Sequence, residues 1–101
     1  MLMPQFSFAQ FRDTFAEAAE KTNADASVVE AIRNAVPAWS LAQSGMDSLD
    51  QVDVVMQAEE LLEPHLGKDA AAIPNEITEK ATSLGQLYEL WCGLNGIATT
   101  F

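Results

Sequence analysis

The chain has 101 residues, of which 49% are hydrophobic, and carries 15 acidic side chains against 5 basic ones for a formal charge of -10. That length suits one small domain with a modest core and excludes a deep catalytic cleft between separate substrate lobes; the charge disfavours nucleic acid and anionic membranes and favours basic protein surfaces. Cys92 stands alone, which excludes an internal disulfide and a thiolate metal cluster, and neither a leader-like start nor a membrane-length apolar run is present, so a cytoplasmic protein without stable membrane insertion is expected.

The apolar spacing is helical from the start. Ser7 with Gln10 forms a capping box, and Phe8, Phe11, Phe15 and Ala19 follow at intervals of three and four, predicting a helix from Phe8 to Lys21 with one core-facing stripe. Asn23 and Asp25 interrupt it. Ser27 with Glu30 offers another cap, and Val29, Ile32 and Val36 repeat the helical interval until Pro37, predicting a second, shorter helix over Val28 to Val36. From Pro37 to Met46 the pattern dissolves into a loop, with Trp39 and Leu41 as apolar anchors and Gly45 supplying freedom just ahead of Asp47.

The next segment carries chemistry. Ser48 lies where this glycine-containing loop meets a predicted helix, so its hydroxyl is expected to be exposed at the positive end of the helix dipole, where a phosphate is stabilised. Leu49, Val52, Val55 or Met56, and Leu62 are the expected buried stripe of that helix, and Asp50, Asp53, Gln57 and Glu60 its wet flank. Its end is expected near Pro64. His65 to Ala72 reads as a link with a glycine and three alanines, and Pro74 opens a short helical turn to Lys80. Ser83 then caps a last helix bearing Leu84, Leu87, Tyr88 and Trp91, with Gly93 and Gly96 marking its end. No alternating strand pattern, repeat or composition break competes. Residues 1–101 therefore read as a single all-α domain, a small bundle of about four principal helices with an extra short helix in the N-terminal half.

Gly45-Met46-Asp47-Ser48-Leu49-Asp50, followed by an acidic amphipathic helix and then by Ile73-Pro74-Asn75-Glu76-Ile77 to Lys80 and Thr82-Ser83-Leu84, resembles the prosthetic-group site and later helices of acyl carrier proteins. The resemblance spans Gly45 to about Trp91. It implies that a phosphopantetheinyl transferase, using coenzyme A and magnesium, places 4'-phosphopantetheine on the Ser48 hydroxyl, and that the arm's thiol carries acyl groups as thioesters. Asp47 is then a helix cap, a helper for the transferase's metal and the attacking hydroxyl, or both. Leu49, Asp50, Asp53, Met56, Glu59 and Glu60 match the family's partner-facing positions. Spacing alone favours the core for Met56 and a mixed role for Leu49.

The implied partners, besides the transferase, are acyltransferases, ketosynthases or acyl ligases with basic docking surfaces, served by a monomeric carrier that is not itself an enzyme. No Ser-His-Asp arrangement surrounds Ser48, so hydrolase chemistry is not expected. His65 reads as a surface histidine without metal-ligand companions, Cys92 as a small buried side chain, and no EF-hand spacing marks a structural metal site. The front half departs from the family, as does the long link after Leu62. Both suggest a specialised stand-alone carrier, with an aminoacyl or peptidyl carrier and a non-carrier acidic adaptor as the competing readings.

Overall fold

The computed structural model describes residues 6–66, 73 and 83–101. Among them are four α-helices and one 3-10 turn, with no extended strand: α1 (Phe8–Lys21), α2 (Ala26–Arg33), the 3-10 turn Leu41–Ser44, α3 (Ser48–Leu66) and α4 (Leu84–Asn95). The chain is a small all-α bundle, as its periodicity predicts. The turn expected over Pro74 to Lys80 and most of the preceding link lie outside the described residues.

α1 starts where the capping box places it. The Gln10 amide donates to Ser7 Oγ at 3.1 Å, and the Ser7 amide donates back to Gln10 Oε1 at 2.9 Å, satisfying two donors that a bare helix start leaves unpaired. Its far end closes as a Schellman turn: the Ala24 amide reaches the Ala19 carbonyl and the Asn23 amide the Glu20 carbonyl, with Asn23 at φ 63°. Asparagine tolerates that left-handed conformation better than most residues. Phe8, Phe11, Phe15 and Ala19 are buried as expected, together with Ala16 and Ala18. α1 packs against α2, α3 and α4 and so forms the centre of the bundle.

α2 is shifted from its expected span. Asp25, not Ser27, occupies the cap position, its carbonyl accepting from the Val28 and Val29 amides. The helix stops at Arg33 because Asn34 turns both its amide and its side-chain Nδ2 onto the Glu30 carbonyl, and because Pro37 disfavours helical backbone in the residue before it. Val36, expected on the core stripe, is therefore outside the helix and exposed.

α4 begins at its Ser83 cap, where the Gln86 amide donates to Ser83 Oγ at 3.1 Å. It runs through Gly93 to Asn95, and Gly96 at φ 64° ends it while the Ile97 amide returns to the Cys92 carbonyl. Its first amides meet the loop after α2: Leu84 donates to the Trp39 carbonyl at 2.7 Å and Gly85 to the Pro37 carbonyl at 2.9 Å. This approach is so close that a Cβ at Gly85 would lie 2.7 Å from Pro37 Cβ and from its carbonyl oxygen. Only glycine fits there without a backbone shift.

Tyr88 ties the described ends of the chain together. Its buried hydroxyl donates to the Phe6 carbonyl and accepts from the Thr100 amide, and the Thr100 carbonyl accepts from the Phe8 amide at 2.8 Å. Around it Phe6, Phe8, Phe11, Phe15, Trp91 and Phe101 form ring contacts with centroids 4.9–5.8 Å apart. Such pairs contribute roughly 0.5–1.5 kcal/mol each beyond burial. Trp91 Nε1 is buried within this cluster without a hydrogen-bond partner among the described residues.

Candidate functional site

The turn ahead of α3 is built from local bonds. Ser44 Oγ donates to the Leu41 carbonyl and accepts from the Met46 amide at 3.2 Å. Gly45, at φ 89°, reverses the chain in a conformation that a side chain would strain. Half-buried Leu41 and Met46 pack against the core, as does half-buried Trp39 further back, so the expected loop with anchors is an ordered segment with a 3-10 turn inside it.

Asp47 is the cap of α3. Its Oδ1 accepts the Asp50 amide at 2.8 Å and its carbonyl accepts the Gln51 amide at 3.0 Å, while Gln51 Nε2 reaches back to the Met46 carbonyl. Of the two roles expected for Asp47, helix capping is therefore occupied within the chain. Ser48 follows as the first helical residue, and its side chain is exposed. No described residue hydrogen-bonds its hydroxyl. The amides of Ser48 and Leu49 belong to the first turn of α3, where unpaired donors and the helix dipole favour an anion by about 0.3–1 kcal/mol.

The buried face of α3 keeps Val55 and Leu62 from the expected stripe but not Leu49, Val52 or Met56. Val54, Val55, Ala58 and Leu62 are buried, whereas Leu49, Val52 and Met56 are 70%, 49% and 59% exposed. Both sets satisfy helical spacing, since three- and four-residue steps connect Leu49 to Val52 and Met56 as well as they connect Val54 to Ala58 and Leu62. Packing against α1 decides between them. Val54, Val55, Ala58 and Leu62 join the core shared with the phenylalanines and alanines of α1, and Leu49, Val52 and Met56 are left facing solvent. Met56 is thus not a core residue, and Leu49 shares its exposure.

The acidic positions also divide. Asp50, Asp53 and Glu60 are exposed, and Gln57 is half-buried. Glu59 is half-buried too and accepts a hydrogen bond from the backbone of Ile73; burial raises its carboxyl above the usual glutamate value, with that hydrogen bond pulling the other way. Glu59 is therefore engaged inside the protein, beside the buried Ile73. By helical phase Glu59 falls close to Ser48 around the α3 axis, at roughly 100° per residue, which puts Ile73 on the flank of α3 that Ser48 shares.

The remaining residues flagged by the sequence are peripheral. α3 continues through Pro64 to Leu66, so residue 65 belongs to its last turn, and the side chain of His65 lies outside the described residues. Cys92 is buried, and desolvation raises its thiol, an environment that disfavours the reactive thiolate. Among the described residues no group of three His, Cys, Asp or Glu side chains is arranged to hold a metal ion, and no helix is long and apolar enough to cross a membrane.

Sequence reasoning missed a cleft beside this region. About 410 Å³ in volume, it lies between the α1–α2 turn, the first turn of α2, the Ser44–Met46 segment and the side of α3 bearing Asp50 and Asp53. No signal in the sequence places Asp25 near Asp50. Comparison with known proteins returns nothing: no protein-family model, curated protein or solved structure matches the chain.

Proposed function

We propose that the chain is an acyl carrier in which Ser48 accepts 4'-phosphopantetheine and the arm's thiol carries acyl intermediates between enzymes of fatty-acid, polyketide or specialised lipid synthesis. The observation that carries this reading is the exposed hydroxyl of Ser48, which no described residue hydrogen-bonds, at the first position of α3 behind an ordered Gly45 turn and an Asp47 cap. A transferase needs that oxygen accessible. A helix start held by its own cap presents the oxygen in one geometry without having to fold around it, which lowers the ordering cost of each encounter.

The adjoining surface supports transient docking. Leu49, Val52 and Met56 form an exposed apolar stripe, with Asp50, Asp53 and Glu60 on one side of it. A basic partner surface is attracted at long range by the carboxylates and then covers a small apolar patch, a combination that speeds association without making the complex long-lived. The acidity beside Ser48 favours acyl over peptidyl cargo. Because α1 is the long helix packed on α3, α1 corresponds to the first carrier helix and α2 to the added element.

Incubation with coenzyme A, magnesium and a promiscuous phosphopantetheinyl transferase, followed by intact-mass measurement, tests the reading. A mass gain that vanishes in Ser48→Ala is expected. No gain with several such transferases, or a gain that persists in the variant, would defeat it and leave an acidic adaptor.

A further inference from the structure

We propose that the start of α4 positions the start of α3: Gly85, through Pro37 and Trp39, sets where the Ser44–Asp47 turn holds Ser48, although the glycine is remote from the serine in sequence. That the positioned hydroxyl is a point of modification rests on the carrier reading above. The mechanical link does not.

Two sets of contacts meet end to end. At the α4 end, the Leu84 and Gly85 amides donate to the Trp39 and Pro37 carbonyls at 2.7 and 2.9 Å, and a Cβ at Gly85 would lie 2.9 Å from Pro37 Cα as well as against its carbonyl oxygen. The Trp39 amide donates to the Val36 carbonyl at 2.9 Å, which makes Pro37 and Trp39 parts of one closed turn. From that turn onward each bond adjoins or overlaps the one before it. The Ser40 amide donates to Gln43 Oε1 at 2.9 Å, Ser44 Oγ joins the Leu41 carbonyl to the Met46 amide, Gln51 Nε2 holds the Met46 carbonyl, and Asp47 Oδ1 holds the Asp50 amide. Half-buried Trp39, Leu41 and Met46, packed on the core, keep the segment from yielding sideways. A contiguous run of bonded and packed groups transmits a displacement that a solvated loop would absorb.

The consequence is that a side chain at position 85 acts on the start of α3 through the intervening segment. Gly85 is a positioning residue, and the group it positions is the Ser48 hydroxyl, by way of the Asp47 cap.

Nitrogen-15 spectra of the full, unmodified chain test the link in both directions. Gly85→Ala should shift the Met46, Asp47 and Asp50 amides more than those of Phe11 and Phe15 in the aromatic core. Ser44→Ala, which removes the joint between Leu41 and Met46 and leaves α4 untouched, should in turn move the Leu84 and Gly85 amide protons, whose shifts follow the lengths of their bonds to Trp39 and Pro37. That second arm decides the matter even where Gly85→Ala does not fold. Combined in one chain, the two substitutions should fall short of their summed effects on unfolding by about two- to fivefold in the folded-to-unfolded ratio. With a phosphopantetheinyl transferase, Gly85→Ala should lower kcat for Ser48 about tenfold and change KM less than about twofold, because a displaced oxygen loses orientation and not docking. Shifts that stop at Trp39 in one direction and at Leu41 in the other, or strict additivity of the two substitutions, would overturn the proposal by showing that the core anchors absorb the displacement. A rise in KM alone would overturn it too, by assigning Gly85 to docking. Absence of any mass gain in the parent chain overturns the carrier assignment and leaves the spectra and the double substitution to decide the link.

Discussion

The two ends of this bundle are stabilised differently. Around α1 and α4, aromatic rings fill the interior and a tyrosine hydroxyl joins both described ends of the chain. Along α3 the buried side chains among the described ones are two valines, an alanine and a leucine, and an equally apolar set faces water. Burial free energy scales with apolar area, so the aromatic end carries most of the stability while α3 leaves apolar surface free for contact. Stability and exposed apolar surface belong to different residues.

Substitutions that should break one end and spare the other sharpen this contrast. The largest effect is expected from Phe11→Ala, which empties a fully buried site touching Phe15, Tyr88 and Trp91 and should cost about 3–5 kcal/mol. Denaturant unfolding followed by the fluorescence of buried Trp91 measures it; a loss below 1 kcal/mol would contradict the aromatic account. Tyr88→Phe keeps the ring but removes the hydroxyl that joins the Phe6 carbonyl to the Thr100 amide. About 1–3 kcal/mol should be lost, with the amide protons of Phe8 and Thr100 exchanging faster.

Effects on α3 should be smaller and more specific. Burial raises the Glu59 carboxyl, so the folded state favours its protonated form: that stability is present below the normal glutamate range and is lost as pH rises through the raised value. Glu59→Gln stays neutral and keeps an acceptor for the Ile73 amide. Its stability relative to the parent should therefore climb between about pH 4 and pH 7, and a flat difference across that window would show that Glu59 is not desolvated. Met56→Ala should change stability by no more than about 0.5 kcal/mol, as at other exposed sites, while slowing the modification of Ser48 proposed above. A loss of several kcal/mol would return Met56 to the core.

Much of this was legible in the sequence, for local reasons. α1 and α4 carry Ser7 with Gln10 and Ser83 as caps beside an unambiguous spacing of large apolar residues, and both start where those signals place them. The exposed start of α3 followed from Gly45 and Asp47, whose effects reach only a few residues. The buried side of α3 was legible only at Val55 and Leu62, because two apolar stripes share one helix and packing against α1 decides between them. α2 was displaced by two competing caps, with Asp25 prevailing over Ser27 at one end and Asn34 closing the other. Tyr88's bonds to residues 6 and 100, Gly85's contact with Pro37 and the approach of Asp25 to the α3 flank all join distant parts of the chain, so no local pattern announces them.

The abutment of Gly85 on Pro37 has a consequence for how this chain can vary. Two stretches remote in sequence share a spacing too small for any larger residue, so the first codon of drift at position 85 is closed unless the segment leading to Ser48 moves as well. The placement of the segment that leads to the exposed start of α3 and the soundness of the scaffold therefore depend on the same glycine, and homologues that keep this segment should be the ones that keep the glycine.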